Sequence, residues 1–187
     1  MDKVEALIAM GGNIGGPAAV MARFGAAGAA IRRGLGGPLR SSRVYQTPPV
    51  GPVPEQPYFL NAVVACMAPA TMTPTAVLAM LLDIEAAHGR VRTQASVQGP
   101  RTLDLDLLFL GPQTQRSAGP PPLILPHPRV VERAFVLQPL ADLQGLDWCM
   151  PGVQRTVGAC LADPAVARQR AGLAPYCDAI ASAPRET

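Results

Sequence analysis

The chain has 187 residues, a length that predicts one domain with at most a small appendage. Hydrophobic residues make up 49% of it and charged residues 16%, which provides material for a core and argues against global disorder. A net charge of +3 is too small for a nucleic-acid platform, and an aromatic content of 4% argues against a surface that stacks many bases. We therefore expect no nucleic-acid partner.

Lys3 is the only lysine, so nearly all positive charge comes from arginine, whose planar guanidinium suits phosphate recognition. The four cysteines show no zinc-binding spacing and are expected to be reduced thiols of a cytoplasmic protein. The beginning of the chain does not resemble a signal peptide. The longest uncharged span, 56–82, is interrupted by prolines, so we expect no membrane partner.

The first elements are predicted to be a buried strand over 4–10, a tight turn at Gly11-Gly12-Asn13 and a helix from Pro17 to about Arg33. The glycine spacing matches neither a dinucleotide-binding fingerprint nor a P-loop. We favour a turn that closes the strand against the helix over a phosphate loop.

A second strand is predicted over 39–46, followed by a stiff, proline-rich segment over 47–57. That segment suits recognition of a planar, hydrogen-bonding small molecule, and a simple crossover is an equal alternative. The strand predicted over 58–67 places Phe59 and Asn61 on one face. A buried Asn61 amide needs a partner, either a ligand or, more commonly, a neighbouring backbone.

Thr73 is a predicted N-cap for a helix that begins at Pro74 and ends near His88, where Gly89 stops it. Arg90 and Arg92 follow, and the loop over 93–98 has few anchoring residues, so we expect it to be mobile.

Leucine and aspartate alternate in the next segment, which reads Gly-Pro-Arg-Thr-Leu-Asp-Leu-Asp-Leu-Leu over 99–108. In a strand this pattern places Asp104 and Asp106 on one face, about 7 Å apart. Two neighbouring carboxylates repel each other, and a cation such as Mg²⁺ carrying a polyphosphate relieves the repulsion. From this pattern alone, an edge strand with an acidic face toward solvent is an equal alternative.

The order strand-helix-strand-strand-helix-strand predicts an α+β fold with a ferredoxin-like βαββαβ core, in which an antiparallel sheet carries both packed helices on one face. The aspartate pair would lie on the other face. C-terminal additions follow: an extended piece over 123–129 and a helix that begins at Val130 and is limited by Pro139. We predict a single domain over 1–162 and a tail of uncertain structure over 163–187.

Six motifs in unbroken order resemble the 6-hydroxymethyl-7,8-dihydropterin pyrophosphokinase family. They are Tyr45-x-Thr47-Pro48-Pro49-x-Gly51, Gln56-Pro57-x-Phe59-Leu60-Asn61, Glu85-x-x-x-Gly89-Arg90-x-Arg92, Gly99-Pro100-Arg101-Thr102-Leu103-Asp104-Leu105-Asp106, Pro126-His127 and Glu132-Arg133-x-Phe135. The sequence departs from the family pattern at Gln98 and at Gly12.

The resemblance implies transfer of pyrophosphate from ATP to the hydroxymethyl group of 6-hydroxymethyl-7,8-dihydropterin, with release of AMP, in folate biosynthesis. By similarity, Asp104 and Asp106 would hold two Mg²⁺ ions, and Arg92 and Arg101 would act with them in catalysis. The ATP-binding residues would be Glu85, Arg90, Arg92, Arg101, Leu107, His127 and Arg133. The pterin-binding residues would be Thr47, Pro48, Val50, Gly51, Phe59, Asn61 and Phe135.

Two other functions are alternatives for a chain with a ferredoxin-like fold. A non-catalytic module that senses a nucleotide or another small molecule is the main alternative. An RNA-binding module needs exposed aromatics on a middle strand, and the sequence over 58–64 lacks that pattern. We expect a monomeric, Mg-dependent enzyme whose partners are its two small-molecule substrates.

Overall fold

The computed structural model describes residues 2–49, 55–91, 99–119 and 121–180. Its centre is an antiparallel sheet built on two long strands, β1 (Lys3–Gly12) and β4 (Phe59–Pro69). β5 (Asp104–Leu110) pairs with β1, while β2 (Leu39–Ser41) and β3 (Val44–Thr47) pair with β4. The order β5-β1-β4-β3 is that of a ferredoxin-like sheet, so the predicted fold class is confirmed.

Two helices cover one face of this sheet, α1 (Gly16–Leu35) and α2 (Pro74–Ala87). The first begins with Pro17 in its first turn, and the second is capped by Thr73, whose hydroxyl accepts a hydrogen bond of 3.2 Å from the backbone N–H of Ala76. Fully buried side chains such as Phe24 and Leu81 pack there against the sheet and form the first core. Both helices lie where the sequence predicts them.

Three further helices cover part of the opposite face. They are α3 (Ala134–Gln144), α4 (Val157–Leu161) and α5 (Pro164–Arg170). Their apolar residues pack on Leu7, Val63 and Phe109 and form a second core. The remainder of this face, at the beginning of β5, carries the aspartate pair, so the C-terminal helices leave that part of the sheet for a site.

The helix predicted to be limited by Pro139 is different in the structure. A 3-10 helix spans Val130–Glu132, the chain is extended at Arg133, and α3 then continues through Pro139 to Gln144. Proline inside a helix loses one backbone hydrogen bond, at a cost of about 3 kcal/mol. Leu137 and Leu140 on either side of it are fully buried, and their packing offsets that cost.

The strand predicted over 39–46 is divided into β2 and β3. From Ser41 to Tyr45 the chain uses four residues to pass three on β4, from Val64 to Asn61, so one residue is inserted. Ser42 lies at this irregularity, and its hydroxyl accepts the backbone N–H of Val63 at 3.0 Å. The Ser42 side chain thus takes the place of a backbone acceptor in the pairing with β4.

Three short strands complete the structure. β6 (Gln115–Ser117) and β7 (Leu123–Leu125) form a separate hairpin, and β8 (Ala174–Cys177) pairs with β3 at the edge of the main sheet. The segment after Asp163, for which the sequence predicts no particular structure, therefore forms α5 and β8. Within the described ranges, no helix combines the length and apolar character needed to cross a bilayer.

Candidate active site

β5 presents its two aspartates on the face opposite the first core. Leu103, Leu105 and Leu107 are buried among the residues under α1 and α2, whereas Asp104 and Asp106 keep side-chain exposures of 20% and 32%. Their partners across the strand are Gly11 and Ala9 of β1, which have no long side chains to cover them. The predicted alternation therefore places both carboxylates in one cavity.

Two arginines hold the carboxylate of Asp104. Arg90 contacts Oδ1 through Nη1 at 2.8 Å, and Arg101 donates from its own Nη1 to Oδ2 at 2.6 Å. Arg90 also donates to the backbone carbonyl of Leu103 at 2.9 Å, which fixes it at the beginning of β5. Both carboxylate oxygens of Asp104 thus have a cationic partner.

Glu85 supports this arrangement from the interior of the protein. Its side chain is 1% exposed; Oε1 accepts the backbone N–H of Leu105 at 2.7 Å, and Oε2 lies 3.9 Å from Nε of Arg90. A charge in such a position is tolerated because it is both paired and hydrogen-bonded. Glu85 therefore links α2, Arg90 and the aspartate strand.

Asp106 is in a less neutralised environment than its neighbour. Its Oδ2 atom lies 3.5 Å from Nη1 of Arg133 and 4.0 Å from Nε2 of His127. Burial raises the pKa of Asp106, and the negative charge of Asp104 raises it further, against the opposing effects of His127 and Arg133. A cation bound between the two carboxylates would offset both of the raising effects.

His127 faces Asp106 with a defined ring nitrogen. Its Nδ1 atom accepts the backbone N–H of Arg129 at 3.2 Å, so the neutral ring carries its proton on Nε2, which faces the carboxylate. Burial lowers the pKa of His127, and the nearby Arg133 and Arg129 lower it further, although the charge of Asp106 opposes them. The Nε2–H group of His127 is therefore placed to donate a hydrogen bond to an anion.

The same cavity contains two aromatic rings, each with a guanidinium beside it. The Arg101 guanidinium carbon lies 5.2 Å from the ring centroid of Phe59, and that of Arg133 lies 5.6 Å from the ring centroid of Phe135. The described residues that line this cavity are Ala9, Met10, Gly11, Thr47, Pro48, Phe59, Asn61, Ala62, Arg101, Asp104, Asp106, Arg129, Glu132, Arg133, Phe135, Val136 and Gln169. Carboxylates, arginines and aromatic rings thus share one space.

Asn61 in the centre of β4 has a partner in the protein. Its Nδ2 donates to Oγ1 of Thr47 at 2.8 Å, so a side chain of β3 is a partner of this amide. A Cβ atom at Gly11 would lie 3.2 Å from Oδ1 of Asn61, so a larger residue at Gly11 would crowd the amide. The pair presents polar atoms at the edge of the cavity, next to Phe59.

Asn13 holds two segments of the site together, a role that its sequence pattern does not predict. Its Oδ1 accepts the backbone N–H of Arg101 at 2.8 Å, and its Nδ2 donates to the carbonyl of Pro57 at 3.1 Å. A Cβ atom at Gly12 would lie 2.8 Å from the carbonyl of Thr102, so the close approach requires glycine there. The only sequence signal is an asparagine that follows two glycines at the end of a strand.

Arg129, Glu132 and Gln169 also line the cavity without having been predicted to do so. Three of the predicted site residues, Val50, Gly51 and Arg92, lie outside the described residues, as does the loop over 93–98. The other predicted pterin-binding residues, with Asp104, Asp106, Arg101 and Arg133, lie together in the cavity.

A sequence model described as 7,8-dihydro-6-hydroxymethylpterin-pyrophosphokinase matches residues 7–145. A 2-amino-4-hydroxy-6-hydroxymethyldihydropteridine pyrophosphokinase of Methylorubrum extorquens is 43% identical over 143 residues, which are 74% of this chain and 82% of that protein. A protein of the same name from Synechocystis is 36% identical over 152 residues, or 81% of this chain and 72% of that protein.

Longer proteins also match. A mitochondrial folate synthesis bifunctional protein of Arabidopsis thaliana is 42% identical over 141 residues, 75% of this chain, but the match spans only 24% of that protein. The crystal structure of wild-type Plasmodium falciparum HPPK-DHPS with pterin and p-hydroxybenzoate aligns with a TM-score of 0.64 at 14% identity, over 100% of this chain and 48% of that one. This structural likeness concerns the fold alone.

Proposed function

Because the chain belongs to the 7,8-dihydro-6-hydroxymethylpterin-pyrophosphokinase family, we propose that it transfers pyrophosphate from ATP to the hydroxymethyl group of 6-hydroxymethyl-7,8-dihydropterin. The family's reaction belongs to folate synthesis and is that of a diphosphokinase. The observation that carries the proposal is that Asp104, Asp106, Phe59, Phe135 and Asn61 line the same cavity.

The pterin would occupy the apolar part of this cavity. Its flat ring would lie between Phe59 and Phe135, two aromatic side chains that line this cavity. Its polar edge would meet Asn61 and Thr47, whose side chains already orient each other. Pro48, Val50 and Gly51 are proposed to complete this edge through their backbone atoms.

The donor set fits a magnesium site. Asp104 and Asp106 would hold two Mg²⁺ ions, which require hard oxygen ligands and commonly retain water and phosphate oxygens. Within the described ranges, no group of three or more His, Cys, Asp or Glu residues could hold a metal on its own. Bound magnesium would neutralise phosphate charge and orient the triphosphate.

The remaining basic side chains would bind the phosphates. Arg90, Arg92, Arg101, His127 and Arg133 are proposed to do so, with Glu85 and Leu107 near the nucleoside. Leu107 as a whole residue is only 3% exposed, so little of it is open to a ligand in this structure. We propose that Glu85 contributes by holding Arg90 and β5 in place.

The reaction needs positioning more than covalent help from the protein. The hydroxymethyl oxygen forms a bond to the β-phosphorus, and its proton passes to solvent. The bond from that phosphorus to the α,β-bridging oxygen breaks, and AMP leaves with that oxygen. Arginine side chains fixed before substrate binds stabilise the charge of the transferring group without reorganisation. Holding the hydroxyl in line with the phosphorus supplies the rest of the rate enhancement.

Incubation with Mg-ATP and the reduced pterin alcohol, followed by separation of the nucleotides, tests this function. AMP that appears only when the pterin is present is the expected result. ADP as the product would contradict the proposed pyrophosphate transfer. No product, although both ligands bind, would favour a non-catalytic sensing module of the same fold. A cytoplasmic location and a monomeric state stay predictions.

A further inference from the structure

The C-terminal segment contributes a residue to the cavity from outside the part of the chain that matches the family. The family match ends at residue 145, whereas Gln169 lies on α5 and lines the cavity. α5 is anchored in the second core by Val166, which is 3% exposed. Gln169 is therefore held by a packed helix rather than by a free tail.

The side-chain amide of Gln169 connects two backbone groups on either side of Arg133. Its Nε2 donates to the carbonyl of Glu132 at 2.9 Å, and its Oε1 accepts the backbone N–H of Ala134 at 3.2 Å. Both hydrogen-bonding groups of the amide are thus used in one place. The amide spans the junction between the 3-10 helix and α3.

This junction needs an external partner. The first N–H groups of an α-helix have no acceptor within the helix, and Arg133, at the N-cap of α3, provides no side-chain hydrogen bond. Gln169 supplies an acceptor for Ala134, the first residue of α3. The backbone on both sides of Arg133 is consequently fixed by a residue 36 positions later in the chain.

The side chains at this junction face the proposed substrates. Nη1 of Arg133 lies 3.5 Å from Oδ2 of Asp106. The same guanidinium lies over the ring of Phe135, two residues further along the chain. A rotation of the backbone here would move the guanidinium away from the carboxylate and the ring away from Phe59. The position of both groups thus depends on the geometry that Gln169 holds.

The same segment also contacts a second residue that lines the cavity, Pro48. A Cβ atom at Gly172 would lie 3.4 Å from Cγ of Pro48, and Ala174 of β8 pairs with Gln46 of β3. Pro48 lines the cavity on the side of the proposed pterin edge. The segment from α5 to β8 therefore contacts the cavity lining both at the Arg133 junction and at Pro48.

We propose that Gln169 is a positioning residue for the pterin site, which acts by fixing Arg133 and Phe135 and does not itself react. This inference rests on the proposed function, because it takes the pterin to stack on Phe135. If Gln169 only stabilised the fold, its removal would lower the melting temperature and would affect the two substrates equally. A positioning role affects the pterin more than ATP.

The test uses full-length Gln169→Ala and Gln169→Glu, with Arg168→Ala as the control on the same helix, since Arg168 is exposed. Glutamate has the size of glutamine and can still accept from Ala134, but as a carboxylate it cannot donate to Glu132. We expect KM for the pterin to rise about 10-fold in both variants. KM for ATP should rise less, because Arg133 is only one of several side chains proposed to bind the phosphates. Arg168→Ala should match wild type in both constants.

A double-mutant cycle with Phe135→Ala shows whether Gln169 acts through this junction. In the Phe135→Ala background, Gln169→Ala should change the KM for pterin less than twofold. An unchanged pterin KM in both Gln169 variants, or equal losses with and without Phe135, would overturn the inference. If Phe135→Ala alone leaves pterin binding intact, the proposed pterin site fails instead. Should Gln169→Ala fold poorly, the size-matched Gln169→Glu decides the question by the same criteria.

Discussion

Arg101 donates from Nη1 to Oδ2 of Asp104 at 2.6 Å, so this carboxylate is neutralised by the protein before any substrate arrives. Arg90 contacts its other oxygen at 2.8 Å. Among the residues that the structure describes, Asp106 has longer contacts, of 3.5 Å with Arg133 and 4.0 Å with His127. The carboxylate charge of Asp104 is therefore neutralised more fully than that of Asp106, and this difference can be tested.

Asp106→Asn should separate stability from activity. Burial and the charge of Asp104 raise the pKa of Asp106, so the ionised carboxylate disfavours the folded state near neutral pH. Without its charge, the variant should melt at or above the wild-type temperature when Mg-ATP is absent. Turnover should fall by about 100-fold or more, because a preorganised ligand of the proposed metal site is lost. Thermal melting and AMP release measure the two effects.

Asp104→Asn provides the matched comparison. It leaves Arg90 and Arg101 without their carboxylate, so it should lower both turnover and melting temperature. Asp83→Asn, on the exposed side of α2, serves as the control that changes neither. Near-normal turnover in the Asp106 variant over a magnesium titration would contradict the metal assignment.

Phe59→Ala should weaken pterin binding selectively. The ring is 8% exposed, lines the cavity and lies beneath Arg101. Losing one face of the proposed aromatic sandwich should raise the pterin dissociation constant by about 10-fold, a stacking contribution of about 1.4 kcal/mol, while ATP affinity changes little. Calorimetric titration with each ligand checks this. Equal losses for both ligands would mean that Phe59 is simply a core residue.

Asn13→Ala should destabilise the protein and slow turnover. Asn13 is 2% exposed, and its side chain satisfies the N–H of Arg101 and the carbonyl of Pro57. Each buried backbone group left without a partner costs about 1–3 kcal/mol, which urea unfolding can measure. Asn13→Asp keeps the acceptor for Arg101 and should recover part of the loss. Equal stability of the two variants would show that the bond to Arg101 contributes little.

The sequence predicts those parts of the protein whose pattern is local. Periodicity places β1, α1, β4, α2 and β5, and strict alternation places Asp104 and Asp106 opposite the leucines. Partners that come from distant segments leave no local pattern. The contacts of Asn13 join three separate loops, and Gln169 lies in a segment whose periodicity predicted no helix.

Tertiary packing also overrides the local helix-ending signal of a proline. Pro139 is a local signal for the end of a helix, yet α3 continues through it because the flanking Leu137 and Leu140 are buried in the second core. The division between β2 and β3 has the same origin. It depends on how Ser42 meets the backbone of Val63 on a strand that comes later in the chain.

Tyr45 gives a prediction about the pH dependence of stability. Its hydroxyl donates to Asp142 at 2.9 Å and joins β3 to α3. Burial raises the pKa of Tyr45, and the hydrogen bond and charge of Asp142 raise it further. A raised folded-state pKa contributes stability that is complete below the unfolded pKa of about 10 and is lost as the pH rises through the folded pKa.

Tyr45→Phe should therefore cost about 1.5–3 kcal/mol in the free energy of unfolding at pH 8, and the difference from wild type should shrink above pH 10. Tyr176→Phe, at an exposed tyrosine of β8, should cost less than about 0.5 kcal/mol under the same conditions. Urea unfolding at both pH values measures the effect, and a Tyr45 difference that stays constant with pH would show that its proton is not held by Asp142.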